Sequence, residues 1–168
     1  MMAIPVSRLG NLERLHRWVL TIVAVGGGTS GVLSCVAAME GTRSASETLA
    51  VGFLMAIYMM GLIGGTIQSD YPSAARKLCI FFFLAQIPVL ESAAISYRLL
   101  GPFSYTIAVS FHPATLNFSW FLGTDWELSL VQKTARTSVG LNLVPLALTV
   151  LTGFNNWKVE KCTERTPG

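Results

Sequence analysis

The chain has 168 residues, of which 52% are hydrophobic and only 12% charged, with a net charge of +3 and a mean hydropathy of +0.54. Soluble domains carry charge on about a quarter of their residues, so this composition argues for a polypeptide surrounded by lipid. The basic residues cluster at the ends of apolar runs, which argues against a nucleic-acid footprint.

Cys35, Cys79 and Cys162 stand apart from one another. Without a C-x-x-C pair they suggest neither a disulfide framework nor a zinc site, and no metal is expected.

Residues 5–17 set Val6, Leu9, Leu12 and Leu15 at steps of three, with Arg8, Arg14 and Arg17 on other faces. That spacing suits a short helix lying in the headgroup region. Residues 18–39 form the first membrane-spanning candidate and begin on an interfacial tryptophan. Gly26 and Ser30, and Gly27 and Gly31, make small-x-x-x-small pairs that let a second helix approach closely. A nucleotide-binding glycine loop needs a preceding strand and a following Lys-Ser/Thr, and neither is present.

Residues 48–68 form the second span, with Gly61 and Gly65 as another packing pair. Residues 78–99 read as a third. Its interior holds Gln86, Pro88, Glu91 and Ser92, and Pro88 predicts a kink. A carboxylate at bilayer depth needs a partner, a proton or a water-filled cavity.

Residues 103–122 change character. Phe103, Tyr105, Ile107, Val109 and Phe111 alternate with small or polar residues, and the alternation resumes through Leu116, Phe118, Trp120 and Leu122. Period two indicates strands, here a hairpin with one apolar face. A four-residue loop would set Phe111 opposite Leu116 and Tyr105 opposite Leu122. Residues 137–154 form a fourth span containing Asn142.

Four spans put both termini on one side. Eight of the 12 basic residues then gather there, which makes that side cytoplasmic and the hairpin periplasmic or extracellular. Glu91 and Asn142 would both lie in the outer half of the bilayer, close enough to meet.

The expectation is one all-α membrane domain: a four-helix transmembrane bundle with a short β-hairpin between helices 3 and 4. The function that fits is a non-enzymatic subunit or scaffold, working through helix packing and the apolar hairpin. Its partners would be the bilayer and copies of itself or a larger membrane complex. A proton- or cation-linked transporter using Glu91 is the alternative, and an enzyme acting on a lipid or quinone a weaker one. No motif fixes a reaction, a substrate or a cofactor.

Overall fold

The first helix, α1 (Val6–Met39), runs without a break for 34 residues. The separate headgroup helix expected over 5–17 is therefore the first part of α1, because Gly10 is too isolated to stop a helix that continues on both sides. The apolar part of α1, Leu15–Met39, and the whole of α2 (Ala45–Thr66) are each long and apolar enough to cross a membrane. A computed structural model describes residues 6–42, 44–111, 113–130 and 137–163.

Ser44 caps α2. Its hydroxyl accepts from the amide of Glu47 at 3.2 Å, the side-chain half of a Ser-x-x-Glu capping box. The two long helices pack antiparallel: Thr21 donates to Gln68 at 2.6 Å at one end, and Gly31 lies under Tyr58 further along.

The third apolar run is not a helix across its length. α3 (Pro72–Ala85) opens with proline at its first position, where no amide hydrogen is needed, and stops after 14 residues. At 1.5 Å per residue it is about 21 Å long, short of a bilayer's hydrocarbon core. Gln86 caps it, and Pro88, two residues on, cannot continue a helix. Pro88 is instead the first residue of a strand, a position that proline tolerates. The fourth run divides the other way, strand first and then helix.

Six strands follow from residue 88: β1 (Pro88–Glu91), β2 (Ile95–Leu100), β3 (Phe103–Phe111), β4 (Ala114–Leu122), β5 (Asp125–Leu130) and β6 (Ser138–Asn142). They form one antiparallel sheet in the order β4-β3-β6-β1-β2-β5, and α4 (Leu143–Thr163) closes the chain. This overturns the all-α four-helix bundle. Among the described residues only α1 and α2 are long and apolar enough to span, and the chain between α3 and α4 is a full sheet rather than one hairpin. The physical reason is period-two patterning in Ile95, Tyr97 and Leu99, in Trp126 and Leu128, and in Val139 and Leu141. A hydropathy window averages over this alternation.

The β3–β4 hairpin pairs Phe111 with Ala114, Val109 with Leu116 and Tyr105 with Trp120. Its register is two residues tighter than the four-residue loop implies. A shift of two preserves the faces, so the apolar residues still share one side.

Candidate functional site

Residues paired across an antiparallel sheet point to the same face, so the registers sort every strand. One face carries Phe103, Tyr105, Ile107, Val109 and Phe111 from β3, with Leu116, Phe118, Trp120 and Leu122 from β4. It continues through Val139 and Leu141, Pro88 and Leu90, Tyr97 and Leu99, and Trp126 and Leu128. The other face carries Ser104, Thr106, Ser110, Asn117, Ser119, Ser138, Asn142, Glu91, Ser96, Arg98, Asp125 and Glu127, with Val89, Leu100, Ala108 and Phe121 among them.

The two halves of the apolar face have different neighbours. Tyr97, Trp126 and Leu128 pack against the core formed by α1, α2 and α3, and Leu99 is fully buried within it. On β4 every residue is exposed, with Phe118 at 58% and Trp120 at 74%. Phe103, Tyr105 and Phe111 are exposed beside them.

The polar face borders a half-open cavity of about 540 Å³, lined by residues from all six strands, among them Glu91, Arg98, Thr106, Ser119, Asp125 and Ser138, with Val89, Leu100 and Phe121. Leu100 at the end of β2 and Phe103 at the start of β3 are joined by two residues, a reach of at most about 11 Å at about 3.8 Å per step. The strand order sets β2 and β3 three spacings apart, about 14 Å in a flat sheet, so the sheet curls.

Glu91, at the end of β1, is exposed and accepts a hydrogen bond from Ser138 at 3.1 Å. Arg98 donates to Asp125 at 2.8 Å and lies 3.9 Å from Glu127, which in turn accepts from Ser96 at 2.8 Å. The Arg98–Asp125 pair is about two-fifths exposed, so its contribution to stability is below about 1 kcal/mol. The hydroxyls of Thr106 and Ser119 have no hydrogen bond among the described residues and face the cavity.

Asn142 and Glu91 do not meet. Strand β6 pairs Ser138 with Glu91 and Leu141 with Pro88, which leaves Asn142 at the opposite end of the ladder. There Asn142 is fully buried: its backbone amide donates to Ile87 at 2.8 Å, its Oδ1 accepts from the Tyr105 amide at 3.1 Å, and its Nδ2 donates to Ser104 at 3.0 Å. Gln86 is nearby in the chain and also buried, with Nε2 donating to the Phe82 carbonyl at 3.1 Å and its side chain against Gly101. Ser92 holds the β1–β2 turn, where its hydroxyl exchanges bonds with the backbone of Ile95 at 3.0 and 3.1 Å. The four residues expected to form one intramembrane polar site thus occupy a cavity rim, a helix cap, a strand terminus and a turn.

The small residues are used unevenly. A Cβ at Gly31 would fall inside the Tyr58 ring, one at Gly61 would lie 2.8 Å from Phe82, and one at Gly65 2.6 Å from Val25. Gly27 abuts Pro102 and, at 3.4 Å, the Phe82 ring of α3, and Gly26 faces open space. Ser30 bonds its own helix at Gly26 and reaches the Thr124 hydroxyl. Tyr58, fully buried, directs its hydroxyl toward the carbonyls of Leu100 and Asp125 at 3.3 and 3.4 Å. Tyr97 donates to the Ala85 carbonyl at 2.5 Å.

Sequence reasoning missed Thr106, Ser138 and the Arg98–Asp125 pair. The signal available was the run of small hydroxyl residues between the alternating apolar ones. Among the described residues, no cluster of His, Cys, Asp and Glu could hold a metal. No family model, no curated protein and no solved structure matches this chain.

Proposed function

We propose that this chain is a membrane-inserted, non-enzymatic subunit or scaffold that crosses the bilayer with α1 and α2 and turns its apolar sheet face toward lipid and neighbouring protein. One observation carries the reading: one face of the six-stranded sheet is apolar on every strand, and its β3–β4 half, Phe103 to Phe111 and Leu116 to Leu122, is left largely exposed while the other half packs on the helices. A sheet in water buries its apolar side, whereas one facing lipid can leave it outward.

Depth supports it. Tyr58 lies near the middle of α2 and bonds the carbonyls of Leu100 and Asp125, so the base of the sheet is level with the middle of that helix. At the same level Gly27 of α1 abuts Pro102 and Ser30 reaches Thr124, and Tyr97, Trp126 and Leu128 pack on the helix core. With α1 and α2 in a bilayer, the hairpin base would lie among lipid tails and its tip beyond them.

Arg8, Arg14 and Arg17 precede the first crossing and Arg76 and Lys77 follow the second, against Arg43 alone between them. That bias makes the N-terminal side cytoplasmic and the hairpin side periplasmic or extracellular. α4 packs on α3, which supports reading it as a return toward the cytoplasmic side.

The polar cavity favours a second reading, a carrier of a small polar or cationic solute. Here Glu91 and Asp125 would act from the sheet rather than from a helix.

Alkaline carbonate extraction of membranes containing the full chain tests the first reading. It predicts that the protein stays with the lipid and needs detergent to disperse. Release into the aqueous wash would overturn it.

A further inference from the structure

Strand β4 is an edge that natural sheets ordinarily protect. Edges carry lysine, proline, bulges or covering elements, because their unpaired backbone groups recruit other strands. β4 runs nine residues, Ala-Thr-Leu-Asn-Phe-Ser-Trp-Phe-Leu, without a charge, a proline or a buried position. The opposite edge, β5, is shorter and carries Asp125 and Glu127.

The hydrogen-bond parity of β4 follows from its neighbours. The Phe111 amide donates away from β4, to Thr137 at 2.9 Å, and the Gly123 amide donates toward β3, to Pro102 at 3.0 Å. In an antiparallel ladder these directions alternate along the strand. The odd-numbered residues of β4 therefore bond β3, and the even-numbered ones, Ala114 through Leu122, direct their N–H and C=O groups outward. The outward set is also the apolar set.

We propose that β4 pairs antiparallel with β4 of a second copy, about a two-fold axis at Phe118, and joins the two sheets into one. This deepens the scaffold reading and rests on it. Phe118 is the central residue of the strand, so the pairing sets Phe118 opposite itself, Leu116 opposite Trp120 of the partner copy and Ala114 opposite Leu122. Every outward N–H and C=O then finds a partner. Because cross-strand pairs share a face, apolar residues stay with apolar ones and the polar faces remain continuous. Antiparallel pairing of identical strands is self-complementary and closes at two copies. At bilayer depth the need is stronger, since an open edge among lipid tails leaves each unpaired backbone group with no water to bond.

The test uses the full chain in mild detergent, with Cys162→Ala to remove the tail thiol. Facing residues in a hydrogen-bonded pair have Cα atoms about 5.5 Å apart, within disulfide range. Phe118→Cys should yield a reducible dimer under mild oxidant, whereas Leu122→Cys, opposite Ala114, should remain unlinked. Leu116→Pro removes an outward amide without touching the β3 ladder and should halve the protein mass measured by light scattering; Phe118→Lys should do the same if the proline variant fails to fold. An unlinked Phe118→Cys with a monomeric parent chain, or a folded Phe118→Lys that remains dimeric, would overturn the proposal. If those monomers still resist carbonate extraction, only edge pairing fails; release into the wash removes the scaffold reading as well.

Discussion

Asn142 binds Ser104 and the Tyr105 amide at once, joining the end of β6 to the start of β3 where α3, the sheet and α4 converge. Both groups of its side-chain amide are used, in a fully buried position. Asn142→Leu would leave the Tyr105 amide hydrogen without this partner, while the Ser104 hydroxyl keeps its bond to the Gly101 carbonyl. An unsatisfied buried group costs about 1–3 kcal/mol, so thermal unfolding in detergent should show a loss of at least ~1 kcal/mol.

Glu91 gives the contrasting expectation. It is exposed and meets only the Ser138 hydroxyl among the described residues, and a glutamine can still accept that bond. Glu91→Gln should change stability by less than about 0.5 kcal/mol. If the carrier reading holds, the same substitution should reduce uptake of a cationic solute into vesicles; unchanged uptake would count against that reading alone.

The α1–α2 seam makes a paired prediction. Gly31→Ala forces a methyl group into the Tyr58 ring, and the ring cannot retreat without losing its contacts to Leu100 and Asp125. Overpacking of this kind costs about 1–3 kcal/mol. Gly26→Ala meets nothing and should be neutral or stabilising by up to about 1 kcal/mol through helix propensity. The unfolding midpoint of Gly31→Ala should therefore fall, while that of Gly26→Ala stays in place or rises.

Tyr97→Phe removes the hydrogen bond that ties β2 to the last turn of α3. A loss of about 1 kcal/mol is expected, with little change in backbone circular dichroism.

The two long helices were legible in the sequence because run length and glycine spacing suffice to identify them. The β3–β4 hairpin was legible too, since Phe103 to Phe111 alternate cleanly over a long stretch. The remaining strands were obscured by composition. Lys77 to Gly101 is apolar almost throughout, and a residue count cannot separate one spanning helix from a helix followed by a hairpin. The break was written at Gln86 and Pro88, a polar cap followed by a residue that ends helices. Asp125, Trp126, Glu127 and Leu128 alternate as plainly as β3 does, but over too few residues to stand out. Glu91 drew attention as a charge in an apolar run, and only the β1–β6 register shows that Ser138, not Asn142, stands beside it. The cavity depends on the sheet's curl, which no local pattern encodes.

The proposed membrane placement of the sheet can be read residue by residue along β4. Single cysteines from Leu116 to Trp120, in the full chain reconstituted into vesicles, would carry a fluorophore quenched by brominated lipid. The account predicts period-two quenching, strong at Leu116, Phe118 and Trp120 and weak at Asn117 and Ser119. Uniform exposure of all five to a water-soluble quencher, with no alternation, would contradict it.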